Sequence, residues 1–235
     1  MFQNLSTPET RYPITVKYQS TNQMQGWIGE PKHQKSCGSC VVFTNVALIE
    51  TCIARVSCSF SPDTCTVGDL SEQEALECAY NPPDVDGCDG ALSDSYISWI
   101  INRGGYMSDE LNLPYRPSKL THECPTDVLV DDKHGVKITG EIMAYDVDEE
   151  MLKSMVYYNG AVQTSIAASD DGFKHYSGGI FGGCTTNKTN HGIVIVGYGS
   201  EVGEDYWILK NSWGTKWGEG GYMRLKYEKL KSNIS

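Results

Sequence analysis

The reading of this chain turns on Gln34-Lys35-Ser36-Cys37-Gly38-Ser39-Cys40, which runs directly into Val41-Val42-Phe43. Val42, Val46, Ile49, Ile53 and Val56 recur at steps of four, three, four and three, the period of an apolar helix face. Gly38 and Ser39 interrupt regular structure just ahead, and Ser39 is read as the N-cap. Cys40 thereby falls in the first turn of a largely buried helix, where unpaired N–H groups and the helix dipole favour the thiolate. Taken alone, such a cysteine is as readily a core thiol or half of a disulfide, because free cysteines are among the most buried residues.

Its company further along overturns that. Asn190-His191-Gly192 leads into Ile193-Val194-Ile195-Val196-Gly197-Tyr198-Gly199, and then comes Asn211-Ser212-Trp213-Gly214-Thr215-Lys216-Trp217-Gly218-Glu219-Gly220-Gly221-Tyr222. His191 lies 151 residues past Cys40 (191 − 40) and Asn211 lies 171 past it (211 − 40). A cysteine with a histidine and an asparagine far along the chain is a candidate catalytic nucleophile. At these three places the chain resembles the papain family of cysteine proteases, and the resemblance extends over residues 30–227. Singly, a histidine before a strand is commonly structural, an Asn-Ser a turn and a tryptophan core. Jointly and in this order they point to chemistry.

The resemblance implies an α+β, papain-like two-lobe fold. A mainly helical lobe, residues 20–128, carries the nucleophile. An antiparallel β-barrel lobe, residues 129–235 with the N-terminal 1–19, carries His191 and Asn211, and the cleft lies between them. By the same resemblance Cys40 is the nucleophile, His191 the acid/base, Asn211 the group that orients it, and Gln34 an oxyanion donor beside the Cys40 backbone N–H. Trp213 would shield the His191–Asn211 contact, and Trp217 would pave the leaving-group side. Substrate contacts are expected from Gly38, Gly90, Ala91, Leu92, Ser93, Ser165, Thr189 and Asn190. Cys37–Cys88 and Cys78–Cys124 are the implied disulfides. Val41 stands where the family nearly always has tryptophan, and Ala91 stands in place of a glycine. The nearest pattern is the cathepsin L type, an endopeptidase, since no insertion resembles the occluding loop of cathepsin B.

Composition agrees. The 235 residues bury one large core or two half-sized ones. A net charge of −11 argues against a nucleic-acid partner. Nine cysteines suit an oxidising compartment, and the family implies a lysosomal or extracellular one. No metal or other cofactor is expected, because Cys37 and Cys40 have no second ligand pair at zinc-site spacing. No membrane-spanning run or signal-peptide pattern is read. Asn4, Asn187 and Asn233 begin Asn-x-Ser/Thr sequons. The expected partners are polypeptide substrates, with cystatin-like or propeptide inhibitors by resemblance, acting on a monomer.

Along the chain, Cys58 and Cys65 lie seven apart and are read as a local disulfide. Ser71 and Glu74 form a capping box opening a short helix to Cys78. Leu92, Tyr96, Trp99 and Ile100 mark another helix, ended by Gly104-Gly105. Beyond residue 128 a helix near Asp148–Tyr158 precedes strands at Ala161–Ala168, His191–Val196, Tyr206–Lys210 and Tyr222–Tyr227, with a hairpin turn within Ser200–Glu204. Cys52 is expected to be buried on the inner helix face. Cys184 is expected to be an unpaired, reactive thiol, because the family segment that would pair with it is missing. The competing reading is a catalytically weak or inactive relative, its cleft altered by Val41 and Ala91, acting as a binding or antigenic protein.

Overall fold

The helix read from the apolar stripe is α1, Cys40–Phe60, in a computed structural model that describes residues 27–60, 67–117, 120–125, 137–145 and 147–227. Val42, Val46, Ile49 and Ile53 are buried and join Leu70, Leu76, Tyr96, Ile97 and Ile100 in one core cluster. Val56 departs from the expectation at 39% exposed, because the elements packed on α1 cover its stripe only as far as Ile53. Cys52 is exposed rather than buried; ten residues beyond Val42, it sits roughly 80° round the helix from the stripe. By length and composition Cys40–Cys58 would span a bilayer, contrary to the sequence reading, yet 61% of that window is buried inside the protein. It is a core helix.

Two shorter helices pack on α1: α2, Glu72–Cys78, and α3, Ser93–Asn102. Ser71 caps α2 by accepting from the Glu74 N–H at 3.0 Å. The reciprocal half of the capping box does not form. Glu74 is fully buried and turns instead to Arg103 and to the Ser108 N–H, the latter at 2.7 Å. Cys37–Cys88 and Cys78–Cys124 are bonded as the resemblance implies. Cys58 is also in a disulfide, while its expected partner Cys65 lies outside the described residues.

The second half begins with α4, Glu149–Asn159, capped by Asp148 onto the Met151 N–H. It continues through β1 Val162–Ile166, a one-turn helix α5 Asp171–Lys174, β2 Ile180–Phe181, β3 His191–Glu201, β4 Glu204–Lys210 and β5 Tyr222–Lys226. The sheet order is β1-β3-β4-β5-β2. All pairings are antiparallel except β2 with β5. The α+β class is as expected; among the described residues the sheet is five-stranded, with β1 and β2 at its edges, and mixed rather than purely antiparallel because β2 joins β5 in parallel. Neither α5 nor β2 was expected; four and two residues are too short to show a period.

Alternation along β3 and β4 explains how the sheet buries both faces. Ile193, Ile195, Trp207 and Leu209 face a core closed by Leu152 and Val156 of α4. Val194, Val196, Tyr206 and Ile208 face the other way, toward Ala47 and Leu48 of α1. The hairpin between β3 and β4 turns at Val202 and Gly203, both at positive φ. The sheet is therefore clamped between α1 and α4, and the start of β3 is delivered to the start of α1.

Candidate active site

Cys40 is the first residue of α1 and is half-buried. The loop before it is shaped by backbone contact. The Gly38 N–H donates to the Cys88 carbonyl at 2.8 Å, and a Cβ on Gly38 would lie 2.3 Å from that oxygen. Only glycine fits there. Ser39 does not act as the expected side-chain cap: its carbonyl accepts from the Phe43 N–H, while its hydroxyl meets the Tyr115 hydroxyl at 3.0 Å.

His191 opens β3 opposite Ile166 of β1 and is 6% exposed. A Cβ on the next residue, Gly192, would lie 3.4 Å from the Cys40 carbonyl oxygen and 3.3 Å from Thr44 Oγ1. The first turn of α1 and the first residues of β3 are thus in direct contact. His191 Nε2 is 2.8 Å from Asn211 Oδ1, which also accepts from the Ser212 N–H at 2.8 Å. An amide oxygen only accepts, so Nε2 carries the proton and Nδ1 is the nitrogen left for chemistry. Trp213 lies over the ring at 5.1 Å between centroids, and Phe173 of α5 meets it edge-on at 6.1 Å. Burial pushes the imidazole below its ordinary value of 6.5, partly offset by Asn211.

Gln34 is buried and tied to the same turn. Its N–H donates to the Ser212 carbonyl at 2.8 Å, and its Oε1 accepts from Ser212 Oγ at 2.6 Å. Its Nε2 donates to the Cys37 carbonyl at 2.8 Å. An amide nitrogen carries two N–H groups, and one is used in this contact. Gln34, Ser212, Asn211 and His191 therefore form one hydrogen-bonded set against the first turn of α1.

The expected substrate contacts fall on two segments. Gly90 has φ 126° with open space where a Cβ would stand, Ala91 bridges to Val85, and Leu92 is 54% exposed. Ser93 Oγ lies 2.9 Å from Asn45 Oδ1 and 3.0 Å from Gln163 Oε1, joining this segment to β1. Ser165 shares the Gln163 face of β1, two residues along. Thr189 is half-buried and Asn190 is exposed, its N–H donating to the Ile166 carbonyl. Trp217 is 9% exposed and packs among Phe173, Tyr176 and Trp213.

Three contributors escaped the sequence reading. Ser212 stands inside the motif quoted for Asn211, so its signal was present. Phe173 sits on the unpredicted α5, and Tyr115 in an irregular Pro-Tyr segment without a period. A charge cluster with two buried carboxylates, Glu50 and Glu72, was also missed. Lys32 Nζ contacts Glu50, Asp69 and Glu72 within 2.9 Å, and buried Lys210 lies near them. A small cavity lined by Lys32, Glu50, Glu72 and Lys210 reaches Asn211 and Ser212.

The free cysteines among the described residues are Cys40, Cys52 and Cys184. Cys184 is unpaired as expected but is not set up to react. Burial, and next the Asp170 carboxylate, push its thiol up to about 11, and Sγ donates to the Ala167 carbonyl.

A family model described as papain family cysteine protease matches residues 15–235. The chain belongs to the papain family. It is 38% identical to cysteine proteinase COT44 of Brassica napus over 217 residues, covering 91% of this chain and 60% of that protein. It is also 38% identical to cysteine protease XCP2 of Arabidopsis thaliana, covering 86% of this chain and 52% of that protein. The chain thus spans little more than half the length of these relatives. Among solved papain-type structures, procathepsin L2 from Tenebrio molitor larval midgut superposes with a TM-score of 0.73 at 32% identity, covering 88% of this chain and 61% of that one. Bromelain protease from Ananas comosus, in complex with the E64 inhibitor, gives a TM-score of 0.73 at 29% identity, covering 89% of each chain.

Proposed function

We propose that this chain is a cysteine endopeptidase that hydrolyses peptide bonds through Cys40, His191, Asn211 and Gln34. The observation that carries the reading is the continuous set Gln34–Ser212–Asn211–His191 seated against the first turn of α1. A lone thiol of pKa about 8.5 is mostly protonated at mildly acidic pH. His191 supplies the remedy, because its Nδ1 takes the thiol proton and the imidazolium stabilises the thiolate. The thiolate attacks the scissile carbonyl, and charge develops on the carbonyl oxygen. The second Gln34 N–H and the Cys40 backbone N–H receive it. His191 then protonates the leaving amine, and water, deprotonated by His191, releases the acyl group from Cys40.

The substrate lies in the cleft between the helical half, residues 20–128, and the sheet-bearing half beyond it. It is met by Gly38, Gly90, Ala91, Leu92, Ser93, Ser165, Thr189, Asn190 and the edge of Trp217, with Trp213 shielding His191. Polypeptides are the substrates and a monomer the working form. Cystatin-like or propeptide inhibitors are the expected regulators, and a lysosomal or extracellular site the expected location.

The test is labelling with the E64 type of thiol-directed epoxide, followed by peptide mapping. Cys40 should be modified, with Cys52 and Cys184 spared. Absence of label at Cys40 would favour the inactive, binding-protein reading. In an active preparation, Gln34→Ala should lower kcat by about a hundredfold with little change in KM, since its donor acts on the oxyanion.

A further inference from the structure

We propose that Tyr115 is a positioning residue for the oxyanion-binding loop, tying together the two ends of Gln34–Cys40 and so fixing the spacing between the Gln34 amide and the Cys40 backbone N–H. The inference rests on the endopeptidase reading and adds to it a residue 75 positions beyond the nucleophile (115 − 40).

The Tyr115 hydroxyl donates to the Gln34 carbonyl at 2.7 Å and lies 3.0 Å from Ser39 Oγ. A phenol has one proton, and a carbonyl can only accept. The proton is therefore committed to Gln34, and Ser39 must donate to the Tyr115 oxygen. The chain Ser39→Tyr115→Gln34 crosses the loop from one end to the other. Ser39 is locked in turn to α1, through its carbonyl and the Phe43 N–H at 3.0 Å. The Gln34 backbone is thereby referenced to the same helix turn that carries the Cys40 N–H. The Ser212 contacts hold Gln34 to the sheet, and Tyr115 holds it to the helix.

Tyr115 is itself held from three sides. Its N–H donates to Glu110 Oε1 at 2.7 Å. Its ring meets buried Phe43 of α1 edge-on, with centroids 4.9 Å apart at 88°. Lys35 Nζ lies 5.7 Å from the ring centroid. Burial also pushes the phenol up to about 12, so it stays a donor at every pH where the enzyme would work.

Tyr115→Phe keeps the ring and its Phe43 contact while deleting the hydroxyl. The wild type is assayed first: no activity and no epoxide label at Cys40 would overturn the endopeptidase reading, and this inference with it. In active enzyme, Tyr115→Phe should lower kcat by about tenfold, the worth of one hydrogen bond in a pre-organised site, with KM changed by less than about twofold. The alkylation rate of Cys40 by iodoacetamide, a reaction with no oxyanion, should be unchanged. In a Gln34→Ala background, Tyr115→Phe should cost nothing further. An unchanged kcat, a full additional loss on top of Gln34→Ala, or a parallel fall in alkylation rate would each overturn the role. Should Tyr115→Phe fail to fold, Ser39→Ala carries the same cycle with Gln34→Ala and should show the same non-additivity.

Discussion

The environment of His191 is an enclosure built for a proton. Asn211 fixes Nε2, Trp213 and Phe173 close the ring in, and burial alone drives the imidazole toward its neutral form. An imidazolium there needs the Cys40 thiolate as its partner. In Cys40→Ala, His191 should therefore titrate below 6.5, as followed by its ring proton signals in NMR. A value at or above 6.5 in that variant would contradict the enclosure as its cause. Asn211→Ala should leave the thiol reactive but lower turnover by about a hundredfold, the scale set by loss of orientation at a reacting group. Single-turnover kinetics with an ester substrate would check it; equal loss of alkylation rate and turnover would count against an orienting role. The two free thiols outside the site, among the described residues, should react in a defined order. Exposed Cys52 should be modified by a neutral disulfide reagent well before Cys184, whose proton is held by burial and Asp170. Mass mapping that found Cys184 modified first would contradict this.

At the scale of elements, the site is two junctions meeting: the loop into α1 and the turn out of β4. Both are shaped by close backbone contact. Gly38→Ala places a methyl group 2.3 Å from the Cys88 carbonyl, so the loop must move or the Gly38–Cys88 hydrogen bond must break. Overpacking of this kind costs about 1–3 kcal/mol. The expected outcome is a lower midpoint in denaturant together with reduced turnover, and unchanged stability would show that the loop is freer than it is drawn. Ser71 and Glu74 show how tertiary partners displace a local motif. The capping box was legible, but Arg103 and Ser108 offer a buried carboxylate more than the Ser71 N–H does, and that N–H goes to the Ser108 carbonyl instead.

Across the whole molecule, the buried charges around Lys32 should govern the pH dependence of stability. Glu72 is buried among Lys32, Glu50 and Glu110. Burial pushes its carboxyl up to about 8, against the pull of Lys32 and with the help of Glu50. The folded value lies above the unfolded 4.5, so this group's stabilising contribution is fully present below about 4.5 and is lost as pH rises through about 8. The melting temperature should accordingly decline across that window, and Glu72→Gln should flatten the decline. An unaltered slope in the variant would contradict it. Both mapped disulfides lie in the helical half, with sequence separations of 51 and 46. Each is worth up to about 4 kcal/mol through the unfolded chain. In oxidised protein, hydrogen exchange should open the segment around Cys184 before α2 and α3, and after reduction that order should reverse.

The sequence by itself determined the pieces that depend on local chemistry. A period of 3.6 residues placed α1, runs of β-branched and aromatic residues placed β3, β4 and β5, and the motifs around Cys40, His191 and Asn211 named the family. Those features are written into neighbouring residues, so they need no partner to be read. Tertiary structure alone decided which stripe positions stay wet, as at Val56, because that depends on where the covering elements end. It decided that β2 runs parallel to β5, that Phe173 and Tyr115 stand beside the site, and that Lys32 gathers carboxylates from two separate segments, α1 and the entry to α2. Hydrogen bonds and ion pairs between residues dozens of positions apart leave no period in the sequence. Their cause is the packing of elements that lie far apart along the chain.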